Sequence, residues 1–322
     1  MAKAKWSALP TQTLRAGEGF SLADFDASAT PGWSAGKAAA EKFMAARGEL
    51  LSELQERFFA NAKEGDPRKL LLVVQGLDTA GKGGIARHVL GMVDPQGVQL
   101  ASFGVPTEEE RAHHYLWRIE RALPTPGKIG LFDRSHYEDV LVVRVENLVP
   151  QDVWEPRYEE INAWERNLVE NENFTIIKVA LMPSHAEQSV RLAERLARRD
   201  KWWKYNPSDV DTREKWPDYL EAYQAVLDRT STDVAPWYVV PADHKWYARL
   251  AVTELLTQAL IGFEQEWPVP EWDLTTEKKR LRSTMTKEER KATQAALDGT
   301  KKKVKGAIAD FEKAVAKAVK GR

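Results

Sequence analysis

No cysteine occurs among the 322 residues of the chain. Disulfides, thiolate metal sites and a cysteine nucleophile are thereby excluded, and the absence agrees with a reducing, cytoplasmic location. Long hydrophobic runs are missing too. No stretch approaches the roughly 18 to 20 apolar residues that span a bilayer, and the N-terminus lacks the basic, apolar, small-residue order of a signal peptide, so no membrane partner is expected. Charge of one sign is not in excess either. With 47 Lys and Arg against 48 Asp and Glu, the whole molecule is no polycation, and nucleic acid is not expected as its main partner. The six histidines show no metal-ligand spacing: His113 and His114 adjoin, His136 stands apart, and His88, His185 and His244 read as structural.

What is present points to a globular core, since 43% of the residues are hydrophobic, enough for one large α/β domain or two smaller ones. Residues 70 to 84 form an apolar run that enters a glycine-rich loop carrying one lysine. The spacing Gly76-x-x-x-x-Gly81-Lys82 matches a P-loop, in which backbone N–H groups of Gly76, Thr79, Ala80, Gly81, Lys82, Gly83 and Gly84 surround phosphate oxygens. Ile85 to Leu90 can continue as the following helix, with Arg87 near the same phosphates. The hydroxyl residue that normally follows the lysine and ligates Mg²⁺ is Gly83 here, so Asp78 inside the loop is the substitute ligand.

Apolar positions at helical spacing from Lys37 to about Asn61 predict a long amphipathic helix. Further strands are predicted at Val98–Phe103, Lys128–Phe132, Phe174–Leu181 and Trp237–Val240. Helices are predicted over Thr107–Ala122, capped by Thr107 with Glu110, and from about Gln151 and His244. Strands alternating with helices predict an α/β fold, a parallel sheet covered on both faces, hence three layers. Residues 1–36 read as an arm over the domain, 37–266 as the kinase-like domain, and 267–322 as a helical, lysine-rich extension. In that extension Val304, Ile308, Phe311, Val315 and Val319 fall on one helical face, which suits a surface or oligomer-contact helix, with a membrane-surface or polyanion-binding helix as the alternative.

Asp133 at the end of the third strand has the form of a Walker B carboxylate, and it can share Mg²⁺ with Asp78 beyond the carboxyl edge of the sheet. Its alternative role is to cap the following helix. Arg134 is placed to clamp a transferring phosphoryl group, or else to pair with Glu138 or Asp139. Residues 191 to 204 concentrate positive charge, and Arg191 and Arg195 at i,i+4 share a helical face, as in a lid over phosphate chemistry that extends over about 191–215. No Asn-Lys-x-Asp guanine box is present. An ATP-dependent nucleoside monophosphate kinase and a nonenzymatic nucleotide- or polyphosphate-binding regulator remain as rival readings.

The runs Gln75–Gly84, Asp133–Val145, Trp203–Tyr205 and Ala235–Tyr247 closely resemble the polyphosphate kinase 2 family, over roughly residues 10 to 280. Their wording is most like the branch acting on both AMP and ADP. The resemblance implies a P-loop kinase fold with a helical lid, Mg²⁺ as cofactor with Mn²⁺ as a substitute, and reversible transfer of the terminal phosphoryl of inorganic polyphosphate to AMP or ADP, forming ADP or ATP. It also implies a homo-oligomer, dimer or tetramer. Carried over by position, Asp78 and Asp133 organise metal and acceptor phosphate, Lys82 and Arg134 clamp phosphates, Arg191 and Arg195 are lid arginines, and Glu138 belongs to the same site. Two positions depart: Gly104 stands where relatives often carry Lys, and Asp133 where the dual-acceptor branch often has Asn.

Overall fold

The computed structural model describes residues 5–319. Five parallel strands, β1 (Lys69–Gly76), β2 (Val98–Ser102), β3 (Ile129–Asp133), β4 (Phe174–Met182) and β5 (Trp237–Pro241), form one sheet in the order β2-β3-β1-β4-β5. β1 is central and wholly apolar at its core, as a strand covered on both faces requires.

Alternation along the strands splits the core in two. Leu70, Leu72 and Val74 of β1 face a cluster shared with the helices Lys37–Lys63 and Lys245–Gly262, while Leu71 and Val73 face one that includes Tyr158 and Ile161 of Arg157–Asn171 and Tyr223 and Val226 of Trp216–Thr230. The three layers expected from the alternating pattern are thus helix, sheet, helix.

Strand ends agree with expectation to within one residue. Two helices do not. The segment after Thr107 is two short turns, Glu108–Arg111 and Trp117–Glu120, although Thr107 and Glu110 do form the capping box. Its first turn consists of three glutamates and an arginine, with no apolar stripe to dock, so the chain bends until Leu116 and Ile119 reach the core. The helix expected from Gln151 is a short turn, Gln151–Trp154, then Arg157–Asn171, interrupted at Pro156.

The N-terminal arm is tied into the fold. Ala16 N–H donates to Trp237 O and Val239 N–H to Leu14 O, which covers the outer edge of β5. At the other end, Phe311, Val315 and Ala318 of the Lys287–Val319 helix pack on the first core cluster, and the Arg57 guanidinium lies 3.7 Å from the Phe311 ring centroid. Val304 and Ile308 of the same stripe stay about half exposed. No helix among the described residues is long and apolar enough to cross a membrane.

Candidate functional site

The loop after β1 wraps around the N-terminus of the Lys82–His88 helix. Gly76 has φ +158°, and a Cβ there would lie 2.6 Å from Leu181 O, so only glycine lets the loop turn this close to β4. Thr79 sits at φ +66° and Gly81 at +115°. Holding a threonine in the left-handed region costs of order 1 kcal/mol, and the surroundings supply that restraint.

They do so from one helix. Gln188 Nε2 donates to Asp78 O at 3.1 Å, and Arg191 Nη1 donates to Thr79 O at 2.9 Å and Ala80 O at 3.1 Å. Three successive loop carbonyls are therefore tied to the His185–Ala197 helix, behind the loop's opposite face of N–H groups. Arg191 also bonds Ala242 O, Asp243 O and Glu187 and is 4% exposed. Its guanidinium is thus committed to holding loop and β5 together, while its i,i+4 neighbour Arg195 is half-buried and bonds Lys204 O and Asp209.

Lys82 Nζ folds back on Gly76 O at 2.6 Å. Burial, followed by the charge of Arg134, holds its ammonium below the usual lysine range, against the pull of Asp133, Asp78 and Glu138. The same carboxylates act on Arg134: burial works against its charge, but Glu138, Asp78 and Asp133 outweigh burial and raise its pKa. Burial in turn pushes Glu138 up, opposed by Arg134 and Lys82. These five side chains form one electrostatic unit at the carboxyl ends of β1 and β3, the edge where an open parallel sheet binds ligands.

Asp133 is the last residue of β3, paired in register with Val74. The cap of the turn His136–Asp139 is Ser135, whose Oγ accepts from Tyr137 N–H, so Asp133 is not spent on capping. Arg134, at φ +64°, pairs with Asp78 at 3.2 Å, while Asp139 pairs with Arg157. Beneath this turn Lys178, fully buried in β4, donates to Glu165 at 2.5 Å, Tyr137 Oη at 2.8 Å and Thr230 O at 2.7 Å. Glu165 also accepts from Tyr137 and pairs with His136. Burial keeps the His136 imidazole neutral to lower pH than usual.

Two cavities meet at the loop. One, about 370 Å³, is walled by Thr79, Ala80, Gly81, Gly83, Gly84 and Arg87 on the loop side, and by Arg191, Arg195, Arg198, Lys201, Lys204, Lys245 and Arg249 across from it. Glu194 is its one acid. The other, about 380 Å³, has Gly76, Asp78, Arg134 and Glu138 at its floor, the acids Glu146, Asp209 and Asp211 along its sides, and Tyr219, Tyr223, Leu141 and Val142 as apolar wall. Thr79 Oγ1, in the loop between them, is buried and makes no hydrogen bond among the described residues.

The sequence profile described as Polyphosphate kinase 2 matches residues 35–267. The chain belongs to the polyphosphate kinase 2 family. It is 45% identical over 252 residues to the AMP/ADP-polyphosphate phosphotransferase of Meiothermus ruber, which is 78% of this chain and 92% of that protein. It is 38% identical to the ADP-polyphosphate phosphotransferase of Rhodopseudomonas palustris, over 68% of this chain and 78% of that one. The crystal structure of polyphosphate kinase 2 from Arthrobacter aurescens TC1 superimposes with a TM-score of 0.85 at 46% identity, covering 88% of this chain and all of that chain. The sheet order, the phosphate loop and the flanking helices of this family member make a P-loop kinase fold.

Several residues around the candidate site of this family member were not singled out from the sequence. Lys245 and Arg249 in the basic cavity follow β5 at i,i+4 spacing, a pattern that could have placed them, as Arg191 and Arg195 were placed. His88, read as structural, lines the same cavity. Lys178 interrupts the apolar run of β4, which was the visible sign of a buried charge.

Proposed function

We propose that this enzyme transfers the terminal phosphoryl group of inorganic polyphosphate to AMP or ADP. One observation carries the reading: the phosphate loop separates a cavity lined by cations from one lined by acids and tyrosines. A polyanion without a base suits the first, because its walls offer many cations and no Tyr, Trp or Phe ring. A nucleotide suits the second, where Tyr219, Tyr223 and Leu141 supply such a surface. Gly83 in place of a hydroxyl residue agrees with a donor that is not a nucleoside triphosphate in the usual loop geometry.

In the forward direction an oxygen of the acceptor's terminal phosphate attacks the last phosphorus of the chain. The P–O bond to the penultimate unit breaks, and the shortened polyphosphate leaves with that oxygen. The protein's work is placement and charge: loop N–H groups and Lys82 hold the transferring group, and Arg134 meets it from the acceptor side. Asp78 and Asp133 are hard oxygen donors at the strand ends, a set that fits Mg²⁺ or Mn²⁺ completed by water and phosphate oxygens, and the ion would offset charge on the phosphates. Arg195 and the cations of Arg199–Lys204 close the donor side. A cytoplasmic, homo-oligomeric enzyme is the accompanying reading.

Purified protein with Mg²⁺ and polyphosphate should yield ADP from AMP or ATP from ADP, followed by nucleotide chromatography. No phosphorylated product from either acceptor would sink the reading, and ADP formed from AMP only when ATP replaces polyphosphate would make the protein an ATP-dependent monophosphate kinase.

A further inference from the structure

Formal charge is divided sharply along this chain. Residues 274–322 hold 15 Lys and Arg against 6 Asp and Glu, a net of +9, while residues 1–273 hold 32 against 42, a net of −10. The basic segment begins past the family match, which ends at residue 267. It is built as two helices, Leu274–Ser283 and Lys287–Val319, and only the far end of the second, from Phe311 to Ala318, is anchored to the core. Over 33 residues that second helix is about 50 Å long, so most of it is an extended arm.

Its cations are not spent on the protein. Lys278, Lys279, Arg282, Lys287, Arg290 and Lys291 are all exposed, and none of them makes an ion pair among the described residues. Self-neutralisation is the ordinary fate of charges on a solvated helix, in i,i+3 and i,i+4 pairs with alternating sign. Here that device is nearly absent: the pairs within the arm are Arg280 with Glu277 and Lys313 with Asp310. The anchor is set apart from the basic cavity. Ala318 O accepts from Gln258 on the Lys245–Gly262 helix, whose other end presents Lys245 and Arg249 to that cavity about 14 Å of helix away, and the nearest of the six cations, Lys291, lies about 40 Å further along the arm.

From this division of charge and these unpaired cations we infer that the arm is a second, non-catalytic binding site for inorganic polyphosphate. It engages a part of a long chain remote from the end held in the cavity. The inference rests on the proposed donor. A chain longer than the cavity must continue past a body of net charge −10, which repels it, whereas the arm offers unpaired cations held to that body at one end. Two contacts on one polymer add as linked sites do, so the arm raises affinity for long chains and leaves short ones untouched.

The test compares wild type with a variant in which those six residues are changed to Gln, and with one in which they are all Arg. Gln and Arg both suit an exposed helix, so circular dichroism and Tm should match wild type. For polyphosphate of about a hundred units, KM and the Kd from fluorescence anisotropy should rise about tenfold or more in the Gln variant, with a shallower salt dependence. The Arg variant should behave as wild type, and kcat and the KM for hexapolyphosphate should not change in either. Unchanged long-chain Kd in the Gln variant overturns the inference. So does single-stranded DNA of equal charge binding wild type more tightly than long polyphosphate and losing that advantage in the Gln variant, because the arm would then serve nucleic acid. The binding arm needs no turnover, so a wild type that binds long polyphosphate through these residues yet makes no ATP would remove the proposed donor reaction and leave the site standing.

Discussion

Arg134 reaches from the end of β3 across the mouth of the phosphate loop to Asp78, with Nη2 and Oδ1 3.2 Å apart. Both side chains line the cavity that holds Tyr219 and Tyr223, and the arginine stands at a left-handed backbone position, φ +64°. A guanidinium that bonds a carboxylate before substrate arrives can exchange that partner for phosphate oxygens without rearranging its stem.

Arg134→Lys should therefore keep charge but lose the fork. We expect kcat to fall about 10²-fold or more, with KM for polyphosphate changed less, in steady-state assays of ATP formation. A variant within threefold of wild type in kcat would remove Arg134 from the reacting centre.

Arg191 and Arg195 share a helical face but should fail differently. Arg191→Ala leaves several buried carbonyls unpaired and should cost about 2–4 kcal/mol of stability in urea titrations, with activity falling alongside. Arg195→Ala, at the same cavity wall but more exposed and bonded to Lys204 O and Asp209, should barely move the urea midpoint and should instead raise KM for polyphosphate. Equal stability loss in both would contradict the division of roles.

The buried Lys178–Glu165 pair offers a stability test. Lys178→Met strands a buried carboxylate and should destabilise by about 3–5 kcal/mol. Adding Glu165→Gln removes that stranded charge, so the double variant should recover about 1–3 kcal/mol relative to additivity. Strict additivity in denaturant unfolding would mean that the pair is not coupled as the geometry indicates.

Lys82 supplies a pH signature. Because its ammonium is held below the ordinary lysine value in the free enzyme, the charged form is lost as pH rises through that lowered value, and kcat/KM should decline on the alkaline side. Bound phosphates favour the charged form, so the corresponding limb of kcat should lie at higher pH. Lys82→Arg, which does not titrate, should flatten the limb in pH–rate profiles. Coincident limbs that survive the substitution would assign them to another group.

The strand and loop that carry the chemistry were legible in the sequence for a physical reason. A central parallel strand must be apolar on both faces, and a phosphate loop needs glycines at set positions, so residues 70–84 announce themselves without any tertiary contact. Thr107 and Glu110 likewise form their capping box locally, even though the helix they open is only one turn long. Where local pattern met packing it was less informative: residues 108–122 hold helix-forming residues but no apolar stripe at the start, and the fold bent them.

Partnership across long separations could be settled only by the tertiary structure. Spacing put Arg191 and Arg195 on one face, but that Arg191 is spent on the fold depends on carbonyls of residues 79, 80, 242 and 243, contributed by two other parts of the chain. The basic cavity draws Lys245 and Arg249 from the last helix of the sheet domain, far in sequence from Gly84 yet beside it in space. A lysine in a strand reads as an interruption until Glu165, Tyr137 and Thr230 are seen around it. Residue type and spacing determine what a segment can do alone; burial and the partners that satisfy each charge are properties of the folded whole.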